Sequence, residues 1–356
     1  MNEQQASQSK GAPTPGAGMA ADIADQPEMF ARILETSTDP IVEVAARIAE
    51  ARPRSVIFTA RGTSDHAALY ASYLTEIRLG IPAGLASPSS ITLYGARPDL
   101  RDTLVVGISQ SGHSPDLSEV VRVARERGAV TLAVTNAPDS PLAETAELGL
   151  DIAAGPERAV AATKTYTAQL LTLLLLVEAI AGAERGGLDE LPTLAERTLA
   201  DDTAVEIAAR YRFADRIVTT GRGYAYATAR EVALKLMETS YLPALAFSGA
   251  DMLHGPVAMA DPDTPVLAIV GGGPGGRSMR EVLARLGQRR ADLVLVGPTN
   301  VESTVDALHI PTPEVDEAYA PLLDILPLQR MALALALARG GDPDAPRALD
   351  KVTATL

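Results

Sequence analysis

The chain has 356 residues, a length that favours two domains or one large duplicated one. At 47% hydrophobic residues a wholly disordered chain is excluded, and a net charge of −14 argues against a nucleic-acid binder, which needs basic clusters to neutralise phosphates. The absence of cysteine excludes disulfides, thiolate zinc sites, iron–sulfur clusters and cysteine nucleophiles, and with four histidines a metal enzyme would have to rely on carboxylates.

The N-terminus, MNEQQASQSKGAPTPGAGMAAD, is polar and rich in Gly, Pro and Ala. It lacks the basic start and apolar stretch of a signal peptide, and residues 1–21 read as a disordered tail. Short β-branched runs then alternate with longer helical patterns. SVIFTA (55–60) ends in RGTS and is followed by the helical DHAALYASYLTEIRLG. TLVVGIS (103–109) ends in QSGHS, ahead of the helix SPDLSEVVRVARERG. AVTLAVTN (129–136) and LGLDIAA (148–154) are further strands, and a long apolar helix from about Lys164 closes this half. Its run LLTLLLLVEAIAGA (170–183) falls short of the ~20 residues a membrane span needs and carries Glu178, so it reads as a buried helix. The protein is expected to be cytoplasmic, with neither membrane nor nucleic acid as a partner.

The second half repeats the scheme. DRIVTTGRG (215–223) leads into the helix YATAREVALKLME, and PVLAIVGGG (265–273) into GGRSMREVLARLGQRRA. DLVLVG (292–297) and LHIPTP (308–313) are strands, and a helix around 327–338 closes the half. TARGTSDHAALYASYLTE aligns by eye with TTGRGYAYATAREVALKLME, a strand, an R-G turn and a helix in both. Strands separated by helices imply parallel βαβ units, here two tandem, doubly wound, three-layer α/β/α domains related by duplication. The expected bounds are 22–190 and 191–343, joined near 186–198, with a C-terminal tail at 344–356.

Ligands of such sheets sit at the carboxyl ends of the strands. Three loops there pair small hydroxyls with a helix start: Gly62-Thr63-Ser64, Ser109-Gln110-Ser111-Gly112-His113-Ser114 and Thr163-Lys164-Thr165. Free N–H groups and the helix dipole favour an anion at such places, and a phosphate monoester suits them. One loop alone would be an ordinary helix cap, whereas S-Q-S-G-x-S directly after a strand is more specific. The GGGPGG run (271–276) is not GxGxxG, so a nicotinamide cofactor is not expected. Lys235 and Glu238 are three apart on one helix face, and His254 follows in a turn with Gly255-Pro256. Lys351 lies in the polar tail.

Taken in order, Asp22-Ile23-Ala24-Asp25-Gln26-Pro27, Arg61-Gly62-Thr63-Ser64, Ser109-Gln110-Ser111-Gly112, Ala162-Thr163-Lys164, Ala233-Leu234-Lys235-Leu236, Glu238, His254-Gly255-Pro256 and Asp344-Ala345-Pro346-Arg347 with Lys351 resemble the sugar isomerase (SIS) family. Within it the likeness is to the isomerase half of glucosamine-6-phosphate synthase and to free-standing SIS-type glucosamine-6-phosphate deaminases. The resemblance implies that Thr63, Ser64, Ser109, Gln110, Ser111, Ser114 and Thr163, with the backbone of Val160, hold a sugar phosphate. It implies that Glu238 moves a proton between C2 and C1, that Lys235 assists, and that Lys351 closes over the site and can form a Schiff base. His254 would open the sugar ring of a neighbouring subunit's substrate, which implies a homodimer with shared sites. No metal or cofactor is required by this chemistry, because an open-chain sugar phosphate has an acidified C–H beside its carbonyl that a carboxylate can take and return.

The synthase also has a glutaminase segment with a cysteine nucleophile. This chain has no cysteine, so amination from glutamine by that route is not expected. His113-Ser114 replaces Glu-Thr, Leu253 replaces a basic residue, and Pro243 and Leu245 replace polar ones. The leading expectation is isomerising deamination of glucosamine 6-phosphate to fructose 6-phosphate and ammonia. A dehydratase acting on N-acetylglucosamine 6-phosphate and a plain ketol isomerase share its first step, and a sugar-phosphate sensor without turnover is the expectation from another class.

Overall fold

The computed structural model describes residues 14–183, 186–301, 305–349 and 351. Three helices lead in: α1 (Ala17–Ala24), α2 (Gln26–Thr36) and α3 (Thr38–Ala51). The first half then runs β1 (Ser55–Thr59), α4 (Thr63–Leu74), β2 (Ala83–Leu85), α5 (Pro88–Thr92), β3 (Thr103–Ser109), α6 (Pro115–Glu126), β4 (Val130–Thr135), α7 (Pro141–Thr145), β5 (Leu148–Asp151) and α8 (Lys164–Ala181). Helices α9 (Leu191–Ala200) and α10 (Thr203–Arg210) cross to the second half. That half runs β6 (Ile217–Gly221), α11 (Ala225–Ser240), β7 (Ala244–Ser248), α12 (Gly249–Leu253), β8 (Pro265–Ile269), α13 (Pro274–Gln288), β9 (Asp292–Gly297), β10 (Leu308–Pro311) and α14 (Ala320–Ala338).

The sheets have orders β2-β1-β3-β4-β5 and β10-β9-β8-β6-β7, with every neighbour pair parallel. Read from the other edge, the second order is β7-β6-β8-β9-β10, so each strand of one half has a counterpart in the other. The duplication expected from sequence is therefore a duplication of topology, down to register: Val56 lies opposite Leu104 and Val218 opposite Val266. Every residue of β3 and β8 is buried, as in parallel sheets covered on both faces.

One apolar cluster runs through both halves, from Phe30 and Tyr70 through Leu174 and Val232 to Leu322 and Leu335. Helices α8 and α14 are long and apolar enough to cross a membrane, but they are mostly buried in this core, as expected for α8. Helix α4 of the first half packs on α11 of the second. That contact places the carboxyl ends of β1 and β3 beside the face of α11.

The structure departs from the sequence reading in three places. Strands β2 and β7 were not expected; both are sheet edges, one three residues long with Gly84 in it, and the other follows Pro243 with Leu245 half exposed. Helix α14 begins at Ala320 and carries Pro327 inside it, rather than starting there. Residues 320–329 are all buried, and tertiary packing outweighs the hydrogen bond that the proline forgoes. Finally, residues 14–21 of the expected disordered tail are ordered: α1 starts at Ala17 and Met19 is fully buried. Its first N–H groups find acceptors far along the chain. Gly16 donates to Asp342 at 2.9 Å, and Gly18 and Met19 donate to the two oxygens of Asp344 at 2.6 and 2.8 Å. Residues 1–13 lie outside the described residues.

Candidate active site

A cleft opens where the first sheet's carboxyl edge meets α11. Among its lining residues are Thr63, Ser64, Ser109, Gln110, Ser111, Ser114, Val160, Thr165, Glu238, Leu349 and Lys351. Seven of the eight residues expected to hold the ligand are thus together, along with Glu238 and Lys351. The residues that bring them there are local. Gly62, with φ +55°, turns the chain from β1 into α4, where an L side chain would be strained. Ser109 ends β3 and accepts from the N–H of Gly112 at 3.0 Å. Gly112 has φ +67°, and a Cβ there would lie 2.0 Å from the Ser140 hydroxyl, so only glycine closes this loop. Gln169 donates to Ser64 at 2.9 Å from the buried face of α8.

Apart from Lys351, the cleft is lined chiefly by hydroxyls rather than by cations. Arg61 reaches it, but its guanidinium is paired at 2.8 Å with buried Asp116. A phosphate here would be met by hydroxyls and N–H groups at the starts of α4 and α6.

Helix α11 supplies the charged side. Lys235 is buried, and its ammonium lies 2.6 Å from Glu238 and 3.4 Å from Glu231, while donating to the Thr63 hydroxyl at 3.0 Å. Burial works against this ammonium, yet Glu231 and Glu238 outweigh it and hold its pKa above the ordinary lysine value. The sequence reading missed two members of this cluster. Glu231 is fully buried, accepts from Thr63 at 3.1 Å, and stands 2.7 Å from Nδ1 of His66. Glu231, Lys235 and Glu238 are spaced i, i+4, i+7, one helical face, and that signal was available. His66 joins them across 165 residues, and no local spacing could have shown it.

Above the cleft, the Lys351 amine donates to the backbone carbonyl of Glu157. Glu157 is buried, and its carboxylate accepts the N–H of Thr163 at 2.7 Å and the hydroxyl of Thr165. Burial pushes the Glu157 pKa up. One expectation needs correction. Thr163 does not line the cleft: it is fully buried, and its hydroxyl and N–H are both turned to Glu157. His254 does not enter the cleft of its own chain; it sits exposed at the end of α12. A second hollow, lined by Phe58, Leu173, Ile180 and other apolar side chains, offers no comparable polar cluster.

The SIS domain family model matches residues 48–179 and 211–339. The isomerizing glutamine–fructose-6-phosphate aminotransferase of Methanothermobacter thermautotrophicus is 36% identical over 338 residues, which cover 94% of this chain and 56% of that protein. The chain thus spans little more than half the length of the curated relatives it matches. The C-terminal domain of glucosamine-fructose-6-phosphate aminotransferase from Francisella tularensis superposes with a TM-score of 0.85 at 27% identity, covering 92% of this chain and 98% of that one. A protein of Silicibacter pomeroyi provisionally assigned as a phosphosugar isomerase superposes with a TM-score of 0.83 at 34% identity, over 92% and 99% of the two chains.

Proposed function

The chain belongs to the SIS domain family, and on that premise we propose that it converts a hexosamine 6-phosphate by moving the proton at C2. One observation carries the reading: the Glu238 carboxylate opens into the same cleft as the hydroxyls of Ser64, Ser109, Ser111 and Ser114. A phosphate seated on the hydroxyls would anchor one end of the sugar and leave the other near Glu238. The aminotransferases among the relatives are named as isomerizing and for fructose 6-phosphate, and the C-terminal domain of one such protein superposes on this chain, which supports the reading.

The preferred reaction is isomerising deamination of glucosamine 6-phosphate. In the open-chain aldehyde Glu238 takes the proton from C2 and returns it to C1. The nitrogen is left as an imine at C2, and water hydrolyses it to fructose 6-phosphate and ammonia. Lys235, buried and 2.6 Å from it, orients Glu238 for this transfer. Lys351 closes the cleft and is within reach of a carbonyl carbon. His254, outside the cleft of its own chain, would serve the cleft of a second copy as the ring-opening group.

Proton NMR in D2O tests this, with glucosamine 6-phosphate and N-acetylglucosamine 6-phosphate in parallel and ammonia assayed alongside. Loss of the C2 signal with ammonia from the free amine is the expected result. A vinylic signal from the acetylated sugar would replace deamination by dehydration. Binding of both sugars without exchange at C2 would overturn the enzymatic reading.

A further inference from the structure

We propose that helix α1 is a clamp that positions two separate walls of the cleft, the loop carrying Val160 and the tail carrying Lys351. The inference rests on the cleft being the active site. At its C-terminal end α1 presents Asp22, which is fully buried. The Asp22 carboxylate accepts the backbone N–H groups of Arg158 and Ala159 at 2.7 and 2.9 Å, and Lys164 stands 3.3 Å away. These N–H groups immediately precede Val160. At its N-terminal end α1 accepts no cap of its own. Its free N–H groups go to Asp344, seven residues before Lys351. The two walls meet where the Lys351 amine lands on the Glu157 carbonyl. One short helix therefore fixes the spacing between a loop after β5 and the last described residue of the chain.

The arrangement has little slack. A Cβ on Gly18 would lie 2.9 Å from an Asp344 oxygen, so glycine is what lets the carboxylate reach two N–H groups at once. Charge alone does not explain Asp22, because Lys164 is also paired with Asp25 at 2.8 Å. What Asp22 uniquely supplies is an acceptor for two consecutive loop amides. Asp22 and Asp344 are positioning residues: neither lines the cleft.

The test is Asp22→Asn and Asp344→Asn in the full chain, read by amide hydrogen exchange and by steady-state kinetics. In Asp22→Asn, peptides spanning 157–162 should exchange at least ~10-fold faster, while those of β8 stay protected. KM for the sugar phosphate should rise several-fold with little change in kcat, since Val160 binds rather than reacts. In Asp344→Asn the tail peptides should open, and kcat should fall more than KM rises. A merely structural role would lower the active fraction and leave KM alone in both. If either variant does not fold, Gly18→Ala displaces Asp344 without touching charge and gives the same readout for the tail. Unchanged exchange at both walls would overturn the clamp. Faster exchange with unmoved kinetics would overturn its service to the site. If the wild-type chain turns over none of the sugars, the proposed function fails while the exchange result still decides whether α1 clamps the two walls.

Discussion

The two halves share one topology but use the same position in opposite ways. In the first, the loop from β3 into α6 ends in hydroxyls and opens into the cleft. In the second, the N–H groups of the equivalent loop from β8 into α13 are taken by the chain itself. Glu317, from the loop after β10, places its carboxylate oxygens 3.3 and 2.9 Å from the N–H groups of Gly275 and Gly276. A helix N-terminus attracts an anion wherever it occurs, so duplication created two such seats. One opens into the cleft and the other is filled by a side chain. The plug accounts for Gly273 and Gly275 of GGGPGG, where a Cβ would meet the Glu317 carboxylate. A Cβ on Gly273 would lie 2.2 Å from Glu317, and one on Gly276 would lie 1.7 Å from the Gly271 carbonyl. The first makes room for the plug, the second for the turn of the loop itself. What the second half brings to the cleft instead is the acidic and basic face of α11.

The sharpest way to break this division of labour is Glu238→Gln. It keeps the shape of the side chain and removes the base. Turnover should fall by about 10³-fold, within the range for a lost general acid–base group, with KM nearly unchanged. C2 proton exchange in D2O is the measurement, and retention of more than a tenth of the activity would remove α11 from the chemistry.

Each half also buries a carboxylate against the loop that follows its fifth strand, and the two differ in their partners. Glu157 is held by Thr163 and Thr165, whereas among the described residues Asp324 on α14 has only the Thr312 hydroxyl, at 2.7 Å. Burial pushes Asp324 up to about 7, against an ordinary 3.8, and Glu317 adds to the effect. A raised folded-state pKa means the native protein binds more protons than the unfolded chain between these values. Stability should therefore fall as pH climbs from about 4 to about 7, by at most about 4 kcal/mol if the shift were expressed in full. Asp324→Asn keeps the acceptor for Thr312 and cannot ionise. Its thermal midpoint should lose less between pH 5 and pH 8 than that of the wild type. Parallel curves would show that Asp324 stays charged and that the second half tolerates its carboxylates.

Much of this was legible in the residues. Alternating strands and helices, the repeated R-G turn and S-Q-S-G-x-S fixed the class, the duplication and one wall of the site. What was not legible depends on contacts far apart in the chain. His66 meets Glu231 because α4 packs on α11, and α1 is held at its start by Asp342 and Asp344, which return to it from the far end of the chain. Thr163 was misjudged for the same reason. A hydroxyl at a helix start can face a ligand or a buried acid, and only the fold chose Glu157. The edge strands β2 and β7 carry Gly84 and an exposed Leu245, so their β character comes from pairing rather than from composition.

A paired substitution on the two equivalent loops tests the seats directly. Ser111→Ala should raise KM about 10-fold, the cost of one hydrogen bond to a charged group. Ser278→Ala, in the first turns of α13, should leave KM unchanged, because that hydroxyl donates to the Gly275 carbonyl at 2.6 Å on the plugged side. Equal effects would mean that both halves hold the ligand.

The smallest effect concerns the plug. Glu317→Ala strips α13 of its carboxylate and should cost about 1 kcal/mol of folding stability, the usual worth of a cap and its favourable dipole contact. The variant should also acquire what the first half already has. Inorganic phosphate stabilises a folded protein in proportion to the sites it finds there. In the wild type it has the cleft beside Ser109 and Ser111, and in the variant it gains the vacated N–H groups of Gly275 and Gly276. Raising phosphate at constant ionic strength should therefore lift the thermal midpoint of Glu317→Ala more than that of the wild type. An equal lift, with no loss of stability in its absence, would mean that Glu317 is not what separates the two halves. The difference would then lie in the hydroxyls alone, because a bare helix N-terminus without serines beside it would have proved too weak to hold an anion.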